Sequence, residues 1–152
     1  MGLIRSFIAI ELPEEIRLEL ARLEDSLKSG GISFVKWVNP LGIHLTLKFL
    51  GNVAPAMVAK ITTAMAEVAG GRTPFRLEVG RLGIFPNIRQ PRLAWVGVEG
   101  EVDKLAKLQR QIDASLSLLG FPKEQRPFTP HLTLGRLRDR ASTRQRQQFG
   151  EL

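Results

Sequence analysis

From Phe7 to Glu11 the chain carries a short run rich in β-forming residues, and Leu12-Pro13-Glu14-Glu15 then reads as a helix start. Proline suits the first helical position, and acids suit the first turn. Ile16, Leu20, Leu23 and Leu27 recur at spacings of three and four, which marks one buried helical face, and Gly30-Gly31 ends it. A strand at Val35 to Val38, the Asn39-Pro40 turn and a strand from Ile43 to Leu50 follow. Gly51-Asn52 breaks the alternation, and Pro55 opens a second helix to about Ala69. The pattern then starts again. Strands are expected at Phe75 to Val79 and Leu93 to Val98, joined by a proline-bounded loop from Gly83 to Pro91. A helix from about Val102 to Leu119 turns Leu105, Leu108, Ile112, Leu116 and Leu119 to one side, and Gly120 caps it. Pro127-Phe128-Thr129-Pro130 feeds a strand from His131 to Leu137, and the Arg/Gln-rich residues beyond are either helical or frayed.

The repetition carries chemistry. In each half a proline-preceded extended segment leads into the same tetrapeptide, His44-Leu45-Thr46-Leu47 and His131-Leu132-Thr133-Leu134, and these are the only two histidines of the chain. On a strand alternate side chains share a face. His44, Thr46 and Lys48 should therefore point one way and Leu45, Leu47 and Phe49 the other; His131 and Thr133 should oppose Leu132 and Leu134 in the same manner. Each strand would bury leucines against helices and offer an imidazole and a hydroxyl on its open side. Imidazole is suited to proton transfer near neutral pH, and a threonine two residues on supplies a donor for an anionic oxygen. Two such strands supply one acid, one base and two donors, the set that phosphodiester cleavage needs. Neither motif has a nearby carboxylate or Cys to complete a metal site, so no metal and no cofactor are expected.

Composition sharpens this only a little. The 152 residues, 43% hydrophobic and 24% charged, suit one soluble domain with a sizeable core. There is no cysteine, which removes disulfides and cysteine nucleophiles. The apolar run at the N-terminus is too short for a signal peptide or membrane span, so a cytoplasmic protein without membrane contact is expected. Net charge is +7, with 22 Lys and Arg against 15 Asp and Glu. Arginine dominates the cations, and it grips phosphate bidentately. The surplus favours nucleic acid over small substrates without deciding between them.

Taken in order, these residues resemble the 2H phosphoesterase superfamily, specifically the bacterial and archaeal RNA 2′,3′-cyclic phosphodiesterases historically called 2′–5′ RNA ligases. The likeness runs through Arg5-Ser6-Phe7-Ile8-Ala9-Ile10, Val35-Lys36-Trp37-Val38 and His44 to Gly51. It continues through Gly83-Ile84-Phe85-Pro86, Leu93 to Val98 and Pro127 to Arg136. It implies an α+β fold over residues 1–152, a bilobal pseudo-twofold duplicate with two antiparallel sheets facing a central cleft and helices on the outer faces. It also implies hydrolysis of RNA 2′,3′-cyclic phosphate ends to 2′-phosphates without metal, with 2′–5′ ligation as the reverse activity. By analogy His131 is the general base and His44 the general acid, Thr46 and Thr133 hold non-bridging oxygens, and Arg136 adds a cation. The expected partners are RNAs with cyclic phosphate ends, tRNA fragments included, and the expected state is a monomer or weak oligomer.

Two departures stand beside the resemblance. On an unbroken strand Arg136 would lie with Leu132 and Leu134, away from His131; it joins His131 only through a bend or bulge, which Gly135 would permit. Family members also continue for a few dozen residues with strands that complete a sheet, so the chain here is expected either to be truncated or to lack those strands, with an edge exposed or covered by a partner. Among other residues, Lys48 reads as a phosphate contact or a solvated lysine, Phe85, Arg89 and Arg92 as RNA contacts, and Trp37 and Trp95 as core. The arginines from Arg138 to Arg146 read as a solvated face or a nucleic-acid patch. The competing functions are a 2H enzyme for another cyclic phosphate and a non-catalytic RNA or nucleotide binder.

Overall fold

A computed structural model describes residues 2–30, 34–85, 92–138 and 141–150 of the chain. In order, its elements are β1 (Ile4–Ile10), α1 (Glu14–Ser29), β2 (Val35–Trp37), β3 (Leu45–Val53), α2 (Pro55–Ala69), β4 (Leu77–Phe85), β5 (Leu93–Gly100), α3 (Val102–Ser117), β6 (His131–Leu137) and α4 (Thr143–Gly150). The fold class is α+β as expected. β1 and β3 form a two-stranded sheet, and a four-stranded sheet runs β2-β6-β5-β4. β6 is antiparallel to both of its neighbours. No described helix is long and apolar enough to cross a membrane.

The helices follow from the sequence almost residue by residue. Pro13 proves to be the residue before α1 rather than its first, Glu14 and Glu15 occupy the first turn, and the Gly30 N–H closes the end on Leu27 and Lys28 carbonyls. α2 begins at Pro55, and α3 turns Leu105, Ile112 and Leu116 into the core. The strands depart further. β3 starts one residue after His44 and does not stop at Gly51-Asn52, because Gly51 takes φ +72 and the strand continues to Val53. β4 runs through Gly83, Ile84 and Phe85, which the proline-bounded loop was expected to include. The rest of that loop, with Arg89, and Gly31 lie outside the described residues. The C-terminal segment is helical, with Phe149 fully buried on α4.

The chain divides into two compact units that are not its two sequence halves. The first gathers Met1–Ile10, Thr46–Glu78 and Glu99–Pro130, and the second Glu11–Leu45, Val79–Val98 and His131–Leu152. The first unit holds α2 against α3, and its buried residues include Leu47, Val53, Ile61, Leu105, Ile112 and Leu116. The second carries the four-stranded sheet with α1 and α4, and buries Leu20, Val35, Ala94, Val96, Leu132, Leu134 and Phe149.

One buried group in the second unit makes stability depend on pH. Glu24 on α1 is 1% exposed, neither carboxylate oxygen has a hydrogen-bond partner, and the nearest cation is Lys28 Nζ at 3.9 Å. Desolvation pushes its carboxyl up to about 7, with the Lys28 charge opposing and Asp25 adding to the rise. The folded state therefore holds this proton more tightly than the unfolded chain. The stabilisation that this proton contributes, about 2–3 kcal/mol, is complete at or below the unfolded carboxylate range and is lost as pH rises through about 7. Glu24→Gln is expected to remove most of that slope and to exceed the wild type in stability at pH 8. Urea unfolding at pH 5 and pH 8 checks this; an unchanged slope in the variant would contradict it.

Candidate functional site

The second motif is placed by the four-stranded sheet. Across β5 and β6 the register pairs Gly97 with His131, Trp95 with Thr133, Ala94 with Gly135 and Leu93 with Arg136. β6 thus holds one extra residue, Leu134, between the partners of Trp95 and Ala94, which is a β-bulge. Residues 93, 95 and 97 of β5 alternate to one face, and cross-strand partners share a face. The bulge therefore places Arg136 on the same face as His131 and Thr133. The distortion sits at Leu134 rather than at Gly135 itself.

Gly135 serves a different purpose. It is buried beside β2, where a Cβ would come within 2.8 Å of Val35 Cγ1 and 3.0 Å of Trp37 Cε3. Only a residue without a side chain lets β2 and β6 approach while Arg136 stays on the open face. Gly135→Ala is expected to cost about 1–3 kcal/mol through overpacking, read as a shift in the urea midpoint; no shift would mean the strands part freely.

The first motif shows the same burial order. Residues 44 to 49 run half-buried, half-buried again at Thr46, with Leu45, Leu47 and Lys48 buried and Phe49 exposed; residues 131 to 136 repeat that order exposure by exposure. Lys48 thus occupies the place of Gly135, and Phe49, 67% exposed, the place of Arg136. This corrects the simple alternation on two counts. Lys48 is neither solvated nor a phosphate contact: at 3% exposure it donates to Asp113 Oδ1 on α3 at 2.5 Å and to the Pro122 carbonyl at 2.8 Å. Phe49 is not core, and its ring lies 6.2 Å from that of Phe7 on β1. His44 itself precedes β3 and belongs to the second unit, whereas Thr46 belongs to the first.

Trp95 is a further residue that sequence reading misjudged. Its indole is half-buried and meets the His131 ring edge-on, with centroids 6.2 Å apart at 67°. It also fills the space over Gly83, where a Cβ would lie 2.6 Å from its ring. Its alternation with Leu93 and Gly97 was visible, but the partner of that face was not. Trp37 is half-buried as well, with an unpartnered, buried indole N–H. Arg92 and Arg138 are exposed, and no trio of His, Cys, Asp or Glu able to share a metal ion occurs among the described residues.

The family model described as LigT like Phosphoesterase matches this chain twice, over residues 10–95 and 96–150, so that each match holds one His-x-Thr. A protein of Methanothermobacter thermautotrophicus named RNA 2′,3′-cyclic phosphodiesterase is 36% identical over 98% of this chain and 78% of its own length. The crystal structure of TT0787 of Thermus thermophilus superposes with a TM-score of 0.79 at 30% identity, covering 93% of this chain and 77% of that one. The crystal structure of Escherichia coli LigT complexed with 3′-AMP gives 0.72 at 28% identity, covering 92% and 75%.

Proposed function

The chain belongs to the LigT-like phosphoesterase family, and from that premise we propose that it hydrolyses 2′,3′-cyclic phosphate ends of RNA to 2′-phosphates without a metal ion. The observation that carries the reading is the bulged β6, whose one face bears His131, Thr133 and Arg136 together. Those three side chains supply a proton-transfer group and a hydroxyl donor for a reacting phosphate, with a cation beside them for the RNA end that carries it.

In this reading His131 takes a proton from water as the water oxygen bonds to phosphorus. The bond from phosphorus to the 3′-oxygen breaks, and His44 gives that oxygen its proton, which leaves a 3′-hydroxyl and a 2′-phosphate. Thr46 and Thr133 donate to non-bridging oxygens, and Arg136 supplies positive charge to the RNA end. Reversal of the same steps would give 2′–5′ ligation. Support comes from the name of the Methanothermobacter relative, from the nucleotide held by the Escherichia coli LigT structure, and from the net charge of +7. The test is to incubate the protein, with EDTA present, with an oligoribonucleotide ending in a 2′,3′-cyclic phosphate. A 2′-phosphate product is expected; a 3′-phosphate product, or activity abolished by EDTA, would overturn the reading.

A further inference from the structure

The register that brings Arg136 to the His131 face also sets a second cation beside it. β2 pairs with β6 so that Lys36 and Arg136 are direct cross-strand partners, and partners point to the same side. Both are exposed, and neither has an ion-pair partner among the described residues. Like charges directly opposite one another on a sheet destabilise it. The other residues that the register places around them on this face, Leu93, Trp95 and Thr133, are not acidic. Among the described residues that the register places next to the pair, none compensates the repulsion, whereas an anion lying between the two side chains would. Lys36 is otherwise a plain surface lysine in a short strand, and its sequence context gives no hint of this neighbour.

The position of the pair bears on which anion. The β5 partners of Thr133 and Arg136 are two residues apart, so the two sites lie about 7 Å apart along the strand. Long side chains at Lys36 and Arg136 would reach beyond a phosphate held at Thr133 and His131, toward the next phosphate of a polynucleotide. We propose that Lys36 and Arg136 form a second anion subsite that takes the phosphate on the 5′ side of the terminal nucleoside, so that the site selects a chain end over a free cyclic nucleoside phosphate. The proposal rests on the hydrolase reading above. It makes Lys36 a specificity residue, with arginine at this position able to serve in its place.

The experiment compares nucleoside 2′,3′-cyclic phosphates that carry a 5′-phosphate or a 5′-hydroxyl, using wild type, Lys36→Gln and Lys36→Arg. Wild type should favour the 5′-phosphorylated compound in kcat/KM. Lys36→Gln should shrink that preference about tenfold through KM, as expected for loss of one charge-assisted contact, and Lys36→Arg should retain it. A preference unchanged in Lys36→Gln, or absent in wild type, overturns the subsite while leaving the hydrolase reading intact. Anisotropy with a labelled oligoribonucleotide ending in a 2′-phosphate gives an answer independent of turnover: the slope of log Kd against log salt should fall by about one in Lys36→Gln. Equal slopes reject the subsite. Failure of wild type to turn over an oligoribonucleotide ending in a 2′,3′-cyclic phosphate rejects the hydrolase reading, and the salt slopes then decide the subsite by themselves.

Discussion

Replacing His131 by alanine is expected to lower kcat/KM on an RNA end with a 2′,3′-cyclic phosphate by about 10²–10⁴-fold, the usual contribution of one positioned acid or base. His44→Ala should fall in the same range, because in the proposed mechanism each histidine serves one half of the same proton exchange. The double variant should lose little more than the worse single variant, since groups that act as a unit are not additive. The chain has no third histidine and no cysteine to take over either role. The pH dependence separates the roles. Wild type should give a bell, with the acidic limb reporting the base and the alkaline limb the acid. With His131 as base, His131→Ala should lose the acidic limb, and His44→Ala the alkaline one; the opposite pattern would exchange the assignments. Substantial activity in both single variants would sink the two-histidine mechanism.

The largest structural effect should come from Lys48. Its side chain is 2% exposed and that of Asp113 is 13% exposed. The Asp113 carboxylate also accepts the Glu124 N–H at 3.1 Å, and Lys48 reaches the Pro122 carbonyl. One ion pair thereby ties the strand that carries Thr46 to α3 and to the segment that runs on toward His131. Lys48→Met would leave the Asp113 charge buried with a single backbone donor, and should cost about 3–5 kcal/mol. Lys48→Met combined with Asp113→Leu should recover most of the loss, because neither charge then needs solvent. Urea unfolding of the two variants measures both figures. A Lys48→Met protein within error of wild type would mean the pair stays hydrated; a double variant as unstable as the single one would place the cost in packing instead.

How much of this was legible differs between helices and strands. A helix is specified by contacts three and four residues apart, so Ile16 to Leu27 and Leu105 to Leu116 announced α1 and α3, and Pro55 marked the start of α2. Strand boundaries depend on partners distant in sequence. Neither the continuation of β3 past Gly51 nor the extension of β4 to Phe85 has a local signal. The core reading of Trp95 failed for the same reason, since only the neighbouring strand shows that its ring meets His131.

The sequence by itself determined the two His-x-Thr motifs, the family they resemble, the α+β class and the helices, because all of these depend on residue identity and short-range periodicity. It also stated the condition on Arg136, that a bulge must intervene, without being able to say whether one does. Only the tertiary structure decided that Leu134 is the extra residue, that Lys48 turns inward to Asp113, that Lys36 faces Arg136, and that the compact units interleave the two sequence halves. Strand alternation has a period of two, so one inserted residue exchanges the faces of everything beyond it. That insertion is registered against the neighbouring strand, and a single strand read alone carries no record of it.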